Sequence, residues 1–301
     1  PDRRRRGQSP QRRKNRGMLA THDATLTHSA TAGRLDRIGD LPTRTAKRQA
    51  EALNPSSSRD PLALRYWLVV LAASLAGPVR AEDRYRLEDV APKFAALANA
   101  SPKWLDERDV PLATTLPDKA TTEAEISTLL ALQDQRTPEQ LRLIRSEVGD
   151  LALVFVKRLG RRPDRLPKSL GLLHAVLAEV DHFLFTEKIQ LLRSRPHQVD
   201  PRIRPAIPVP QHPAFPSGRA GEARALAIVL GDLLPAEASQ LLRFAAEVGR
   251  RREIAGVHFP SDTAEGARIG QAVADKLLSL KEFQVLVGAA RHEWEAVPPA
   301  P

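Results

Sequence analysis

Three short segments of the chain carry side chains that could bind and transfer a phosphoryl group. Residues 188–196 place two cations seven positions apart (KIQLLRSRP), and 216–218 are a Pro-Ser-Gly turn. Residues 252–262 contain an arginine, a histidine and an aspartate (REIAGVHFPSD). A transferring phosphoryl group spreads negative charge over its oxygens, so its catalysis depends mostly on fixed positive charge and positioning. Together the segments offer both.

The cations and the turn have the chemistry of an anion site. Arg195 and Arg252 each present a planar fork that can hold two oxygens, and Lys188 presents a compact charge. If the turn at Ser217 and Gly218 opens a helix, its free backbone N–H groups favour an anion. Glycine also lets the backbone approach the phosphate closely.

His258 is the candidate nucleophile. Asp262 follows four residues later, on the same face if the segment is helical, and Pro260 is tolerated in a first turn. A carboxylate on the far ring nitrogen would fix the tautomer and stabilise the charged imidazole that forms on attack. The eight histidines show no paired ligand spacing, so nothing in the pattern indicates a metal.

The elements that must position these residues have helical patterns. Thr137, Pro138 and Gln140 form a helix start, and apolar residues recur at helical spacing from there to Gly160. Further helices are predicted over about 168–193, after the 216–218 turn, and over about 236–252, 261–279 and 281–295. Strand-like alternation of useful length is lacking. We therefore predict an all-α helical bundle, with the Pro-rich segment 196–216 as an extended loop beside the active site.

In this order the segments resemble the superfamily of type-2 phosphatidic acid phosphatases, bacterial class A acid phosphatases and vanadium haloperoxidases, over roughly residues 120–280. The family pattern is K-x6-RP, then PSGH, then SR-x5-H-x3-D. The first block is complete at Lys188, Arg195 and Pro196. The second has Arg219 where the family has histidine, and the third has Arg251 where it has serine.

The resemblance implies the helical bundle of that superfamily and the hydrolysis of small-molecule phosphomonoesters without a cofactor. It implies that His258 forms a phosphohistidine, that Asp262 orients it, and that residue 219 would donate a proton to the leaving group. The residues that it implies for holding the phosphate are Lys188, Arg195, Ser217, Gly218 and Arg252.

Arg219 is the departure with the largest expected effect. Arginine stays charged in proteins and cannot donate this proton. General acid catalysis is typically worth about 10²–10⁴-fold, and its loss matters most for poor leaving groups such as alkoxides. We therefore expect an acid phosphatase weakened on alkyl phosphates. Arg219 would also add a fourth cation to the pocket. His212 in the preceding loop is a candidate substitute acid, although a loop histidine without a role is the simpler interpretation.

The net charge of +10 belongs to the N-terminal part of the chain. Residues 1–60 carry 14 basic and 6 acidic residues, and Arg65 and Arg80 add two charges, which leaves 30 basic and 30 acidic residues from Glu82 onward. The body is neutral, so nucleic-acid binding is not expected of it. No stretch after Ala81 holds about 20 apolar residues, which disfavours an integral membrane protein. Homo-oligomerisation is left open.

Residues 59–81 have the pattern of a secretory signal peptide. Arg59 and Arg65 stand before an apolar run at 66–76, and Val79 and Ala81 place small residues before a cleavage site. The run is too short to span a bilayer. We expect periplasmic or secreted localisation.

The signal peptide divides the chain into four predicted parts. Residues 1–58 would be a disordered or non-native basic segment, and 59–81 the signal peptide. Residues 82–118 would form an irregular N-terminal arm, and 119–301 the helical phosphatase-like domain.

Two other functions fit the same residues. Vanadate would fit the pocket with His258 as its ligand, giving a vanadate-dependent haloperoxidase. By the resemblance, however, that activity also uses the histidine that Arg219 replaces. A non-catalytic phosphate-binding relative, with Arg219 marking lost chemistry, is the alternative from outside the enzymes.

The leaving group gives a first test. The purified protein should turn over p-nitrophenyl phosphate faster than glycerol phosphate, by about tenfold or more in kcat/KM, because an aryl oxide departs with little help from a proton donor. Equal values for the two substrates would contradict the effect assigned to Arg219.

Overall fold

Ten α-helices form the part of the chain that the structure, a computed structural model, describes, residues 84–297. Strands do not occur within this range, so the predicted all-α class is confirmed. The predicted segments 1–58 and 59–81 lie outside the described residues. In chain order the helices are α1 (Pro92–Asn99), α2 (Lys119–Asp134), α3 (Pro138–Ser146), α4 (Leu151–Arg158), α5 (Pro167–Leu191), α6 (Pro196–Val199), α7 (Gly218–Leu233), α8 (Ala238–Ile254), α9 (Pro260–Ser279) and α10 (Lys281–Ala296).

The first described segment, 84–118, is held to the bundle by two buried carboxylates of α5. Glu179 accepts backbone N–H groups of residues 103–105 at 2.8–3.0 Å, and Glu187 accepts the N–H of Ala113 at 2.8 Å. Helix α1 also packs against α5. The carboxylates therefore satisfy backbone donors of an irregular segment that has no ladder of its own.

The predicted helix start at Thr137 is present, but the predicted continuation to Gly160 is wrong. The Thr137 hydroxyl and the Gln140 side chain cap each other's backbone N–H groups. Helix α3 then ends at Ser146, and Asp150 starts α4 by accepting the N–H of Ala152. Val148, expected on the apolar face, is about half exposed at 51%. The aspartate cap gives the backbone a better local partner than a continued helix would.

Helix α7 lies at the centre of the bundle and packs against α5, α8 and α9. Its core side chains are leucine, valine and alanine, and they share one large cluster with the apolar faces of its neighbours. Members of that cluster include Val180 and Leu184 from α5, Leu226 and Leu230 from α7, Val248 from α8, and Val273 and Leu277 from α9.

Glycines bring α7 and α9 into backbone contact. A Cβ on Gly270 would lie 2.1 Å from the carbonyl oxygen of Gly221, and one on Gly266 would lie 2.2 Å from that of Ser217. No side chain would fit at either position. The contact places the start of α7 directly against the first half of α9, where the second and third sequence segments meet.

Long apolar helices are also lacking: among the residues that the structure covers, no helix has the length and hydropathy needed to cross a membrane.

The different surroundings of two glycines predict opposite effects of their substitution on stability. Gly270→Ala should lower the free energy of unfolding by about 1–3 kcal/mol, because the new methyl group meets backbone that cannot move aside. Gly288→Ala, in α10 with nothing within 4 Å of the added carbon, should raise it by about 0.5–1 kcal/mol. Urea unfolding measures both, and a neutral Gly270→Ala would contradict the contact.

Candidate active site

The candidate site lies where the first turns of α7 and α9 meet the segment that follows α5. The Ser217 N–H donates to the carbonyl oxygen of Asp262 at 2.8 Å, which ties the two helix starts together. Leu192, in the left-handed conformation with φ of 53°, ends α5 and turns the chain toward the same place. The three segments that carry the predicted chemistry therefore converge.

A buried chain of contacts runs from Asp262 through His258 to Arg195. Asp262 Oδ2 lies 3.2 Å from His258 Nδ1, and Arg195 Nη1 lies 3.0 Å from His258 Nε2. Because a guanidinium can only donate, Nε2 must accept, and Nδ1 then carries the proton toward the carboxylate. This tautomer leaves the lone pair of a nucleophile on Nε2.

Burial lowers the pKa of His258 to about 3, and the positive charge of Arg195 acts in the same direction. Burial opposes ionisation of Asp262, but the guanidinium of Arg193 and the contact with His258 outweigh it and lower the pKa of Asp262 to about 2. The imidazole is therefore neutral and the carboxylate ionised at pH values above about 3.

Arg195 is fully buried, and its hydrogen bonds go to uncharged groups. Its donors reach the carbonyl oxygens of His212 and Val257 at 3.0 and 2.7 Å and the rings of His212 and His258 at 3.0 Å each. Burial lowers its pKa to about 10. A buried guanidinium usually has a carboxylate partner; here the hydrogen-bonding places are taken by neutral acceptors.

Lys188 is the second buried cation. Its ammonium donates to the carbonyl oxygens of Pro213 and Ala214 at 3.1 and 3.2 Å, and to that of Pro216. Burial lowers its pKa well below the usual value, and the charge of Arg195 adds to the effect. Inside a low-dielectric site, each cation makes the charge of the other less favourable, so a bound anion would stabilise both.

Ser217 and Gly218 form the N-terminal end of α7. Ser217 is fully buried, and its Oγ has no hydrogen-bond partner. A buried hydroxyl without a partner costs stability unless something fills its place. The helix start adds free N–H groups and a dipole that favour negative charge.

Arg193 and Glu125 were not identified from the sequence, although Arg193 holds the Asp262 carboxylate and Glu125 in turn holds Arg193. Arg193 Nη1 donates to Asp262 Oδ1 at 2.6 Å, and its Nη2 donates to Glu125 Oε2 at 3.0 Å. Glu125 also accepts the backbone N–H of Ser261 at 2.6 Å, which caps the start of α9 from another helix. Helical periodicity carries no signal for this network, because Arg193 lies just beyond a helix end, where arginines are usually solvated.

Arg252 lies in α8, and its guanidinium contacts the end of α3. Its Nη2 donates to Glu147 Oε2 at 2.9 Å and to the Ile144 carbonyl oxygen at 3.1 Å. Arg251 contacts the same buried carboxylate through Nε at 2.7 Å. In this structure both arginines thus hold the turn between α3 and α4, and the role in phosphate binding that the resemblance gives Arg252 stays a prediction.

Arg219, which was predicted to add a further cation to the pocket, is paired with a carboxylate. Its Nη1 donates to Glu222 Oε2 at 2.7 Å, and its Nη2 donates to the carbonyl oxygens of Val148 and Gly149 at 2.8 Å each. The carboxylate partly offsets the charge of the guanidinium. The sequence analysis did not predict that Glu222, three residues later, would be the partner of Arg219.

His212 contacts the site through its ring. Its Nδ1 lies 3.0 Å from Arg195 Nη2, and the ring packs edge-on against Phe94 and Phe185. Burial lowers its pKa well below the usual value, and Arg195 and Lys188 reinforce the shift. The ring is therefore neutral before an anion binds and holds no extra proton for a leaving group.

Part of the chain is similar in sequence to known acid phosphatases. The chain is 32% identical over 80 residues to non-specific acid phosphatases from Salmonella typhimurium and Salmonella typhi. The matched stretch covers 27% of this chain and 32% of each relative, so about a third of their length is spanned. No protein-family model matches the chain.

The fold is similar to that of a solved helical enzyme structure. A bacterial vanadium-dependent iodoperoxidase overlays on 69% of this chain and 62% of its own, with a TM-score of 0.50 and 15% sequence identity. The resemblance predicted from the three segments is thereby confirmed: the chain is similar in sequence to acid phosphatases and in fold to a vanadium-dependent haloperoxidase.

The low pKa of His258 predicts a pH-dependent stability. In the unfolded chain the ring takes up a proton near its ordinary pKa of about 6.5, whereas the folded protein resists it down to about pH 3. Between these values the unfolded state binds more protons, so the free energy of unfolding falls as the pH falls. His258→Asn should make that slope shallower by up to about 1.4 kcal/mol per pH unit.

Urea unfolding between pH 4 and 6.5 measures the slope. His292→Asn, which removes a histidine whose side chain is 85% exposed, is the matched control. Equal slopes for the two variants would contradict the buried, neutral state of His258.

Proposed function

We propose that this protein is a phosphoric monoester hydrolase of the acid phosphatase type that works through a phosphohistidine on His258. The observation that carries the proposal is the placement of the neutral ring between Asp262 and the buried Arg195, with a second buried cation, Lys188, acting on the ring electrostatically. In the described part of the chain, neither cation has a carboxylate among its hydrogen-bond partners. Phosphate esters supply the negative charge that such a site lacks. The reaction as proposed needs no cofactor.

The proposed reaction begins with an exchange of hydrogen bonds. Arg195 Nη1 holds the lone pair of His258 Nε2, so an incoming phosphate must draw this guanidinium onto its own oxygens before the ring can attack. Lys188 and the start of α7 would take the remaining oxygens. The phosphorus–nitrogen bond then forms as the ester bond breaks, with Asp262 stabilising the charged ring.

Export is proposed together with this activity and rests on residues 59–81, which the structure does not describe. Small phosphate esters are the proposed substrates. The acid phosphatase relatives support this class of reaction, although the similarity covers a third of their length.

Trapping the intermediate tests the proposal. Rapid acid-free quenching of a reaction with ³²P-labelled p-nitrophenyl phosphate should leave an acid-labile label on His258. His258→Ala should lose both the label and turnover, while His292→Ala should keep them.

Other outcomes would contradict the proposal. Label on a different residue would reject His258 as nucleophile. Phosphate binding without any label would favour the non-catalytic relative. Bromination of monobromodimedone with vanadate and peroxide, without phosphatase activity, would favour the haloperoxidase.

A further inference from the structure

His212 shares the guanidinium of Arg195 with the proposed nucleophile. Arg195 Nη1 lies 3.0 Å from His258 Nε2, and Arg195 Nη2 lies 3.0 Å from His212 Nδ1. A single guanidinium thus bridges two imidazole rings, and one nitrogen of each ring faces it. In the proposed reaction the substrate draws Arg195 onto its own oxygens, so both ring nitrogens then face the space that the guanidinium leaves.

The backbone around His212 also belongs to the shell of both buried cations. Arg195 Nε donates to the carbonyl oxygen of His212 at 3.0 Å, and the Lys188 ammonium donates to that of Pro213 at 3.1 Å. The ring is therefore attached to the groups that would hold a phosphate, through its own backbone and through the next residue.

Two phenylalanines hold the His212 ring in this orientation. Phe94 and Phe185 pack edge-on against it, with ring centroids 4.5 and 5.1 Å away. His212 as a whole is only 8% exposed. Because a close-packed ring has little room to turn, Nδ1 stays directed toward Arg195.

Nδ1 of His212 has two neighbours that require opposite protonation states. It lies 3.0 Å from Arg195 Nη2 and 3.1 Å from the carbonyl oxygen of Pro213. A guanidinium only donates and a carbonyl only accepts, so Nδ1 serves Arg195 without a proton and Pro213 with one. When Arg195 moves onto a substrate, the carbonyl is already in place to stabilise a protonated Nδ1.

A bound phosphate favours that proton. The pKa of His212 is low mainly because the ring is buried, and the neighbouring charges of Arg195 and Lys188, together with His258, lower it further. A phosphate dianion held by the two cations would offset their charge and so favour the charged ring. The ring would therefore gain its proton when a substrate is present.

The position of His212 relative to the nucleophile suits proton donation to a leaving group. The attacking and leaving atoms of a phosphoryl transfer are roughly in line, so a donor to the leaving oxygen must stand across the phosphoryl group from the attacking nitrogen. His212 and His258 contact different terminal nitrogens of the planar Arg195 guanidinium. A phosphoryl group that takes the place of the guanidinium would lie between the two rings.

We propose that His212 is the general acid of this site and takes over the role of the histidine that Arg219 replaces. Its proton is carried on Nδ1 once a bound phosphate ester has drawn Arg195 away. The inference rests on the proposed phosphatase function.

The protons balance over one turnover. The ring takes up a proton from solvent as the substrate binds. In the first half-reaction the bond from His258 Nε2 to phosphorus forms, the ester P–O bond breaks, and the proton on His212 Nδ1 passes to the leaving oxygen. In the second, a water attacks phosphorus, the P–N bond breaks, and a proton of that water returns to Nδ1. The ring releases this proton to solvent when inorganic phosphate leaves and Arg195 returns.

A purely structural role would need less than an imidazole. If the ring served only to accept a hydrogen bond from Arg195, an amide oxygen could do the same. The backbone carbonyls of His212 and Val257 already accept from other donors of this guanidinium. The two roles therefore differ in the proton, which an amide cannot give up.

The dependence of rate on leaving group tests the inference. His212→Gln keeps an acceptor oxygen for Arg195 but removes the proton donor, so kcat/KM for glycerol phosphate should fall by about 10²-fold or more. The value for p-nitrophenyl phosphate should fall far less, because an aryl oxide departs with little help from an acid. A plot of log kcat/KM against leaving-group pKa should therefore become steeper than in the wild type.

His182→Gln is the matched control. His182 is buried to a similar extent, with 5% exposure, and its ring also packs edge-on against a phenylalanine, Phe183. This variant should leave the slope of the plot unchanged. Adding Arg219→His to His212→Gln should recover turnover of alkyl phosphates, since it restores a proton donor at the family position.

Proton uptake tests the inference in the wild type, even if His212→Gln does not fold. Sulfate is a dianion with the shape of phosphate and takes up no proton of its own in mildly acidic buffer. Titration calorimetry in buffers of different ionisation enthalpy should show uptake of about one proton per sulfate bound. Sulfate that binds without proton uptake would overturn the role of His212, and no sulfate binding would overturn the anion site as well.

The outcomes separate this inference from the proposed function. Label on His258 in the wild type, combined with equal losses on both substrates or no loss in His212→Gln, would overturn the general-acid role alone. No label in the wild type would overturn both.

Discussion

The arrangement depends on two positive charges that are buried beside a neutral histidine. Lys188 and Arg195 are both fully buried, and backbone carbonyls and imidazole nitrogens take their hydrogen bonds. Taking such ions out of water costs several kcal/mol each in proteins unless a counter-charge offsets it. The carboxylate of Asp262 acts electrostatically on both cations, but it is already held by Arg193 and His258. The site is therefore short of negative charge, and a phosphate dianion would supply it.

Local contacts elsewhere make this costly arrangement tolerable. Glycines allow the backbones of α7 and α9 to touch, which fixes the Ser217 turn against Asp262. The Arg193–Glu125 pair anchors the start of α9 from a helix that carries none of the predicted site residues. The rest of the core is ordinary apolar packing of α5, α7, α8 and α9, whose stability offsets the burial of the charged groups.

Much of this could be predicted from the sequence, because helical periodicity and motif order depend on local spacing. The starts of α3, α7 and α9 follow from Thr137, the Ser-Gly turn and Pro260, and the meeting of His258 with Asp262 follows from a spacing of four. Partners supplied by distant helices could not be predicted. Glu125 for Arg193 and Glu147 for Arg252 are set by tertiary packing, and a single sequence does not show which charged residues will be buried. The break at Gly149 and Asp150 was missed because Val148 and Leu151 continue the apolar spacing across it.

The central claim is that the buried cations are arranged for a phosphate group presented to His258. A crystal structure of the protein with inorganic phosphate bound tests it most directly. The account predicts an anion that contacts Lys188, Arg195 and the start of α7, with the Arg195 guanidinium moved from His258 Nε2 onto the phosphate oxygens and the phosphorus facing that nitrogen. Phosphate bound elsewhere, with Arg195 still on His258 and Lys188 still on its three carbonyls, would contradict it.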